Sequence, residues 1–351
     1  MKTIAFFDTK PYDKLYFDKI NRHFGFNIHY FDVRLNEETA QLAKGADAVC
    51  AFVNDRITAS VAHDLEQQHI KLIALRCAGY NNVDLKAVWQ RIHVVRVPAY
   101  SPHSIAEHAV ALLLCMTRSI HKAYNRVREG NFLLNGLTGG DLFGKTAGIV
   151  STGKIGKITA AILHGIGMRI LVYDKFPDVQ WAQTLNAEYV DFEKICKESD
   201  VISLHAPLTP ETFHMINKKT LALMKHNAVI INTGRGALID THALVNALKH
   251  QKIGGAGLDV YEEEEHYFFE DWSSQAVQDD TLARLLTFPN VIITGHQAFL
   301  TEEALSAIAQ TTLENIEQFF KTGSPLPNEV CYQCSNIGSE KCKHTQQQAC
   351  F

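Results

Sequence analysis

Three kinds of segment are missing from this sequence. No run of five or six basic residues occurs and the formal net charge is −4, which argues against a nucleic-acid-binding protein. The longest apolar run, AVALLLCM at 109–116, is far too short to span a membrane. The N-terminus has neither the long apolar stretch nor the cleavage site of a signal peptide. We therefore predict a cytoplasmic protein without a membrane or nucleic-acid partner.

What the sequence does contain is a regular alternation of short apolar runs and helical patterns. Such continuous β-branched runs are typical of parallel strands covered by helices on both faces. The alternation predicts an α/β fold, and two doubly wound parallel sheets fit the 351 residues. The predicted strands are KTIAFFD, DAVCAFV, KLIALRC and HVVRVP in the first hundred residues, then TAGIV, RILVYD, VISLH, AVIINT, GAGLDV and NVIITGH.

The break between the two sets lies at VPAYSPHS, residues 97–104, where Ser101 and Pro102 form a helix-start pattern. One long helix is predicted from Ser104 to Val127. It could link two domains, contact another subunit or pack in a core, and the sequence does not choose between these roles.

A glycine loop follows the strand TAGIV and precedes a helical stretch, which is the setting of a dinucleotide-binding fingerprint. The pattern G-x-G-x-x-G has Gly153 and Gly156, but Ser151 replaces its first glycine. Gly153 permits close approach of a pyrophosphate, and Gly156 permits close helix–strand packing. We expect Ser151 to fill the turn position with a negative φ and at modest cost.

Asp174 ends the next strand, 18 residues beyond Gly156, near the usual distance of the acid that binds the adenosine ribose. Its carboxylate would accept hydrogen bonds from the ribose hydroxyls and repel a 2′-phosphate. The sequence therefore predicts NAD as the cofactor in preference to NADP, although the neighbouring Lys175 weakens that preference.

Further polar residues follow later strands, where ligands bind in open α/β sheets. Arg235 lies between two glycines and suits a grip on a carboxylate. Asp259 and the run Glu262–Glu265 supply acids, and His296 ends the last strand. Each alone is typical of a surface or structural residue. Together they indicate a hydride-transfer site, in which an imidazole exchanges the carbinol proton, an acid stabilises it and an arginine anchors the substrate.

Long collinear motifs carry a family resemblance. ALRCAGYNNVDL, GLTGGDLFGKTAG, SDVISLHAPLTPET, NTGRGALID, LDVYEEE and TGHQAFLTEEAL resemble the D-isomer-specific 2-hydroxyacid dehydrogenases, in particular their fermentative bacterial branch. The resemblance runs from FGFNIHYFD nearly to PNEV. It implies an NAD-binding Rossmann domain at 101–298, inserted in a flavodoxin-like substrate domain of residues 1–100 and 299–330, with the substrate in the cleft between them.

The resemblance also implies roles for individual residues. Arg235, Glu264 and His296 would be catalytic, with His296 as proton donor and Glu264 as its partner. The cofactor would contact Gly153, Lys154, Ile155, Gly156, Asp174, Ala206, Pro207, Thr212, Thr233, Gly234, Arg235 and Asp259. The substrate would contact Phe52, Tyr100 and Phe299 as pocket walls, the backbone of Ala78 and Gly79, and the side chains of Arg235 and His296.

Bulky aromatic walls favour a small substrate, so the expected reaction is NADH-dependent reduction of pyruvate to D-lactate. The D configuration is implied by the resemblance alone. Two alternatives stay open: a dehydrogenase for a bulkier 2-keto acid such as phenylpyruvate, and a non-catalytic NAD-sensing binding protein on the same fold. We expect a homo-oligomer, either a dimer or a tetramer.

The segment 331–351 departs from the family by continuing past its usual end. It contains Cys331, Cys334, Cys342 and Cys350, with His344. A zinc site is conceivable, but the second cysteine pair is too widely spaced for a compact zinc knuckle. We expect a flexible cysteine-bearing tail and no bound metal. The other cysteines, Cys50, Cys77, Cys115 and Cys196, lie in apolar contexts typical of reduced, partly buried thiols.

Overall fold

The computed structural model describes residues 1–323 and 326–333. They divide into two compact units. The first unit contains residues 1–101 and resumes at Thr301, and the second runs from Pro102 to Leu300. The predicted tail residues Cys334, Cys342, His344 and Cys350 lie outside the described residues, as does any zinc site there.

The first unit is built on a five-stranded parallel sheet with the order β2-β1-β3-β4-β5. This is the flavodoxin-like order expected for a doubly wound sheet. Its strands are β1 (Thr3–Phe6), β2 (Asn27–Tyr30), β3 (Ala48–Ala51), β4 (Leu72–Leu75) and β5 (His93–Val95). Its helices are α1 (Pro11–Asn21), α2 (Ala59–Gln67), α3 (Leu85–Val88) and α12 (Glu302–Thr322), with a 3₁₀ turn at Ala40–Ala43.

The second unit is built on a seven-stranded parallel sheet with the order β12-β11-β10-β9-β6-β7-β8. Its strands are β6 (Thr146–Val150), β7 (Arg169–Tyr173), β8 (Glu188–Tyr189), β9 (Val201–Leu204), β10 (Val229–Asn232), β11 (Gly255–Leu258) and β12 (Val291–Ile293). Its helices are α4 (Pro102–Thr117), α5 (Ile120–Arg128), α6 (Lys154–Gly165), α7 (Val179–Thr184), α8 (Phe192–Glu198), α9 (Lys218–Leu223), α10 (Thr241–Lys249) and α11 (Asp280–Thr287). Short 3₁₀ turns lie at Gly236–Leu238 and Glu264–His266.

Successive residues of the central strands enter different apolar clusters. Val150 and Ile230 belong to one cluster, while their neighbours Ile149 and Ile231 belong to the other. Because side chains alternate across a strand, this sheet is covered on both faces. The strand order reverses between β6 and β9, so the predicted doubly wound Rossmann fold is confirmed.

Two strands were missing from the sequence prediction. β2 and β8 are short edge strands whose side chains are mostly half-buried, so neither has the continuous apolar run by which the other ten were predicted. Edge strands need no apolar side chain on both faces, which removes that signal.

The single helix predicted from Ser104 to Val127 is wrong, because the chain breaks between α4 and α5. Ser119 adopts the left-handed conformation, with φ of 51°. Thr117 donates its hydroxyl back to the Leu113 carbonyl at 2.9 Å and accepts the Gly140 N–H at 3.2 Å. The hydroxyl bond and the returning backbone take the place of the next helical turn.

The cysteines outside the tail match their prediction. Cys50, Cys77 and Cys196 are buried free thiols and Cys115 is partly buried. In the described part of the chain, no helix is both long enough and apolar enough to cross a membrane.

Candidate active site

The glycine loop joins the buried strand β6 to the helix α6 and leaves open space at its centre. Gly153 is the N-cap of α6, and a Cβ placed on it would meet nothing within 4 Å. A Cβ on Gly156 would instead lie 2.0 Å from the Ser151 carbonyl oxygen, so α6 packs directly on the loop. Lys154 and Ile155 form the first turn of α6, where unpaired N–H groups favour an anion.

Ser151 does not have the negative φ that we expected from the sequence. Its φ is 75°, a conformation that glycine adopts freely and other residues adopt at a cost. Two hydrogen bonds hold it there. Its N–H donates to the Tyr173 carbonyl at 2.7 Å, and its hydroxyl donates to Asp174 Oδ2 at 3.2 Å. The serine therefore keeps the glycine-like turn and ties it to the end of β7.

Asp174 follows β7 and is fixed by the loop. Its Oδ2 accepts the Thr152 N–H at 2.6 Å, and its Oδ1 accepts the Phe176 N–H at 2.8 Å. Burial raises the pKa of Asp174, but these bonds and the hydroxyls of Ser151 and Thr152 outweigh it and hold that pKa below its usual value. The group is thus a carboxylate at neutral pH, suited to accept ribose hydroxyls and to repel a 2′-phosphate.

The remaining cofactor candidates follow the neighbouring strands at the same edge of the sheet. Ala206 and Pro207 follow β9, and Thr212 donates its hydroxyl to the Pro207 carbonyl at 2.7 Å. Thr233 and Gly234 follow β10. The Thr233 hydroxyl is buried without a hydrogen-bond partner among the described residues, which marks a place where a ligand can supply one.

Asp259, directly after β11, is fully buried and its carboxylate accepts hydrogen bonds from the protein. The donors are the Thr294 hydroxyl at 2.6 Å and the N–H groups of Gln297 at 2.9 Å and Ala298 at 2.8 Å. Burial raises the pKa of Asp259, but hydrogen bonds from His108, Thr294 and these amides hold it below its usual value. Asp259 therefore fixes the segment 294–298, which carries His296.

The structure brings His296 and Glu264 into contact, as the family resemblance implies. Nδ1 of His296 lies 2.8 Å from Oε1 of Glu264, and both side chains are about one-fifth exposed. Oε2 of Glu264 accepts the Tyr261 N–H at 2.9 Å. His296 has a φ of 52°, and its N–H donates to the Asp259 carbonyl at 2.8 Å. Since Nδ1 faces the glutamate, the other ring nitrogen, Nε2, is left to face a substrate.

Arg235 follows β10 and belongs to a tightly packed loop. Its Nη1 donates to the Gly234 carbonyl at 2.7 Å, and its own carbonyl accepts the Asn232 side-chain amide at 2.9 Å. A Cβ on Gly236 would lie 2.1 Å from the backbone of Tyr261. Position 236 must therefore be glycine for the arginine loop to reach the segment that carries Glu264.

Sequence reasoning missed two residues of this unit. The ring of Phe269 lies 5.8 Å from that of His296 and 6.5 Å from that of Phe299, centroid to centroid. His108 on α4 lies 3.1 Å from the Thr294 hydroxyl through Nε2. Phe269 stands in a run of aromatics after the acidic residues, and His108 stands in the helical stretch AEHAVAL, but neither pattern by itself indicates a contact near His296.

The substrate candidates of the first unit follow three adjacent strands. Phe52 follows β3, Ala78 and Gly79 follow β4, and Tyr100 follows β5. Phe52 is buried, and its ring centroid lies 4.6 Å from the guanidinium carbon of the buried Arg76. The Ala78 carbonyl accepts a hydrogen bond from Arg96 at 2.7 Å. These positions share the carboxyl edge of their sheet, where ligands bind in open α/β folds.

Three features of the second unit fit a dinucleotide: the open space at Gly153, the unpaired hydroxyl of Thr233 and the fixed carboxylate of Asp174. In the part of the chain described here, no group of three or more His, Cys, Asp or Glu side chains could hold a metal ion.

Comparison with known proteins shows the protein family to which this chain belongs. Residues 110–298 match the family described as D-isomer specific 2-hydroxyacid dehydrogenase, NAD binding domain. The chain therefore belongs to the D-isomer-specific 2-hydroxyacid dehydrogenase family, and residues 110–298 form its NAD-binding domain.

Similar proteins cover nearly the whole chain. The D-lactate dehydrogenase of Escherichia coli K12 is 51% identical over 328 residues, which are 93% of this chain and 99% of that protein. A structure of the pyruvate reductase of Chlamydomonas reinhardtii matches with a TM-score of 0.88 and 41% identity, covering 93% of this chain and 98% of that one. A structure of the NAD-complexed D-isomer-specific 2-hydroxyacid dehydrogenase of Lactobacillus delbrueckii ssp. bulgaricus matches with a TM-score of 0.79 and 31% identity. The match covers 94% of this chain and 100% of that one.

Proposed function

We propose that this chain catalyses the reversible reduction of pyruvate to D-lactate with NADH. The observation that carries the proposal is the pairing of His296 Nδ1 with Glu264 at 2.8 Å, at the sheet edge that also holds Arg235 and the glycine loop. The similarity to a D-lactate dehydrogenase and to a pyruvate reductase supports pyruvate as the keto acid.

The protein's own groups would act as follows. NADH, when bound, supplies the hydride that reduces the keto carbon. His296 gives the Nε2 proton to the keto oxygen and is reprotonated from solvent. Glu264 orients the ring and stabilises its cationic form, and Arg235 binds the substrate carboxylate and polarises the carbonyl. One hydride and one proton are thus added per pyruvate.

The cofactor would be held by the residues predicted from the sequence. Gly153, Lys154, Ile155 and Gly156 would face the pyrophosphate, and Asp174 would face the ribose. Ala206, Pro207, Thr212, Thr233 and Gly234 would contact the rest of the dinucleotide. Asp259 would contribute by fixing the segment 294–298, because its oxygens already accept hydrogen bonds from that segment.

The first unit would supply the substrate domain. Ala78 and Gly79 would offer backbone N–H groups to the carboxylate, while Phe52 and Tyr100 would limit the size of the substrate side chain. Phe299, which belongs to the second unit, would act in the same way. Three bulky rings favour the methyl group of pyruvate over a larger group.

A keto-acid panel tests the proposal. NADH oxidation is followed with pyruvate, 2-ketobutyrate and phenylpyruvate, and with NADPH in place of NADH. We expect the highest kcat/KM with pyruvate and NADH. A higher kcat/KM with phenylpyruvate would assign the chain to a bulkier substrate. No turnover with any 2-keto acid, together with tight NADH binding, would favour an NAD-sensing protein.

His296→Ala tests the proton donor. Loss of a general acid should lower kcat by about 10²–10⁴-fold, because the keto oxygen then takes its proton from water. The Kd for NADH, measured by fluorescence titration, should stay near that of the wild type. His266→Ala, at an exposed histidine of the neighbouring 3₁₀ turn, is the control and should be fully active. A kcat for His296→Ala within threefold of the wild type would remove His296 from the mechanism.

We also propose that the protein is a cytoplasmic homo-oligomer. Several large apolar side chains on and after α5 are exposed, and exposed apolar side chains grouped in one stretch of chain favour an interaction site. They are Tyr124, Phe132, Leu133 and Leu134, with exposures of 59%, 74%, 67% and 78%. Light scattering should give the mass of at least two chains for the wild type. The double variant Leu133→Asp/Leu134→Asp should give a lower mass. A wild type with the mass of one chain would refute the proposed assembly.

A further inference from the structure

A second histidine–glutamate pair lies beside the arginine loop of the NAD-binding domain. Nε2 of His214 is 2.5 Å from Oε1 of Glu262, and the two side chains are 29% and 21% exposed. The other carboxylate oxygen of Glu262 accepts the Thr241 hydroxyl at 2.9 Å and the Thr241 N–H at 3.3 Å. We call these three residues, His214, Glu262 and Thr241, the Glu262 clamp. The proposed acid–base pair, His296 with Glu264, does not include them.

The clamp holds both ends of the segment that follows Arg235. At the near end, the His214 N–H donates to the Ala237 carbonyl at 2.9 Å. At the far end, Thr241 is bound by Glu262. Between them, Ile216 exchanges backbone bonds with Leu238 at 3.0 Å and Asp240 at 2.8 Å. Residues 237–241, which follow Arg235, are therefore bound by residues outside that segment.

The same clamp reaches the partner of His296. Glu262 is two residues from Glu264, and the Tyr261 N–H, just before Glu262, donates to Glu264 Oε2 at 2.9 Å. The Tyr261 backbone is also the surface on which Gly236 packs. Glu262 therefore ties the loop of Arg235 to the segment that orients His296.

His214 itself is held in an unusual conformation. Its φ is 50°, in the left-handed region, and the ring of Phe213 stacks on its imidazole at 3.9 Å between centroids. The Asn217 side chain donates to the His214 carbonyl at 2.8 Å. Histidine adopts this region more often than most residues other than glycine, and these contacts hold His214 in it.

We propose that His214 and Glu262 are positioning residues, which keep Arg235 at a fixed spacing from the Glu264–His296 pair. The inference rests on the proposed function, because it assigns to Arg235 the substrate carboxylate and to His296 the proton. Neither clamp residue touches the reacting atoms. Their effect comes from geometry: an anchor displaced by about 1 Å from the proton donor can cost up to 10²-fold in rate.

Glu262→Ala tests the clamp in the full-length protein. It removes both bonds to Thr241 and the pairing with His214. The segment that follows Arg235 then keeps only its backbone bonds to His214 and Ile216, so Arg235 is held less firmly. We expect the KM for pyruvate to rise about tenfold, while the Kd for NADH changes less than about twofold, because Gly153–Gly156 and Asp174 lie outside the segment that Glu262 holds. The readouts are steady-state kinetics with pyruvate and fluorescence titration with NADH alone.

Two further variants make the result specific. Glu262→Gln keeps an oxygen for Thr241 and an amide for His214, so it should recover most of the lost pyruvate affinity. Glu263→Ala removes an exposed charge next to the clamp and should behave as the wild type. Thermal unfolding of all three variants reports folding separately.

Three outcomes would overturn the inference. The first is a KM for pyruvate in Glu262→Ala within twofold of the wild-type value, and the second is an equal rise of that KM in Glu263→Ala. The third is an equal loss of pyruvate and NADH binding in Glu262→Ala that Glu262→Gln does not recover. Failure of the proposed function is distinguishable, since the wild type itself would then not reduce pyruvate.

Discussion

At the scale of single residues, three left-handed positions lie in or beside the candidate site. Ser151, His214 and His296 all have positive φ, and each is held by hydrogen bonds from its own backbone or side chain to a neighbouring strand end or loop. The sequence identified Ser151 as an altered glycine but could not show its φ. That angle is fixed by Tyr173 and Asp174, which are more than twenty residues away.

Substitution of Ser151 separates the strain from the hydroxyl bond. Ser151→Gly removes the cost of a left-handed non-glycine residue, which is about 1 kcal/mol. It also removes the hydrogen bond from the Ser151 hydroxyl to Asp174, whose net contribution to stability is of similar size. We expect its apparent Tm to equal or exceed that of the wild type. Ser151→Ala keeps the strain and loses the bond, so its Tm should fall. Asp174 keeps its bonds to Thr152 in both variants, and the Kd for NADH should therefore stay within about threefold.

Calorimetry of the two variants without ligand decides the matter. If Ser151→Ala were at least as stable as Ser151→Gly, the left-handed φ would cost nothing. If Ser151→Ala were as stable as the wild type, the hydroxyl bond to Asp174 would not stabilise the turn.

At the scale of elements, ten strands were predicted because each has a continuous apolar run that a two-faced parallel sheet requires. The short edge strands β2 and β8 carry half-exposed side chains and gave no such signal. The end of α4 was also missed, since MTRSIHK continues the helical pattern and only the returning loop at Gly139 and Gly140 interrupts it. The contacts of Phe269 with His296 and of His108 with Thr294 were missed for the same reason, because they join segments that are far apart in the sequence.

The two glycines of the fingerprint should fail in different ways when substituted. Gly153→Val adds atoms where the protein leaves space, so its Tm should stay near the wild-type value, while the Kd for NADH rises at least about tenfold. Gly156→Ala places a Cβ against the Ser151 carbonyl, so α6 must shift, at a cost of about 1–3 kcal/mol in stability.

Thermal unfolding and NADH titration of both glycine variants give the comparison. Unchanged NADH binding in Gly153→Val would mean that the open space at the N-terminus of α6 does not receive the pyrophosphate.

At the scale of the whole molecule, the stability should depend on pH through a histidine at the centre of the larger sheet. His205 follows β9, its N–H donates to the Val150 carbonyl at 2.9 Å, and its Nε2 lies 2.9 Å from the Ser203 hydroxyl. Desolvation lowers the pKa of His205 from 6.5 to about 4. The unfolded chain therefore takes up this proton near pH 6.5, whereas the folded protein does so only near pH 4.

Acidification from pH 7.5 to pH 5 should therefore destabilise the wild type through His205, by up to about 1.4 kcal/mol per pH unit below 6.5. His205→Asn has no proton to take up there, so its stability should fall less over the same interval. Urea unfolding of both proteins at the two pH values measures the difference. Equal losses would show that His205 does not contribute to the acid sensitivity.

The configuration of the product tests the central claim most directly. The wild-type protein is incubated with pyruvate and NADH until the NADH is consumed, and the lactate is resolved on a chiral column. We expect D-lactate, in an amount equal to the NADH oxidised. L-lactate, a racemic product or NADH loss without lactate would contradict it.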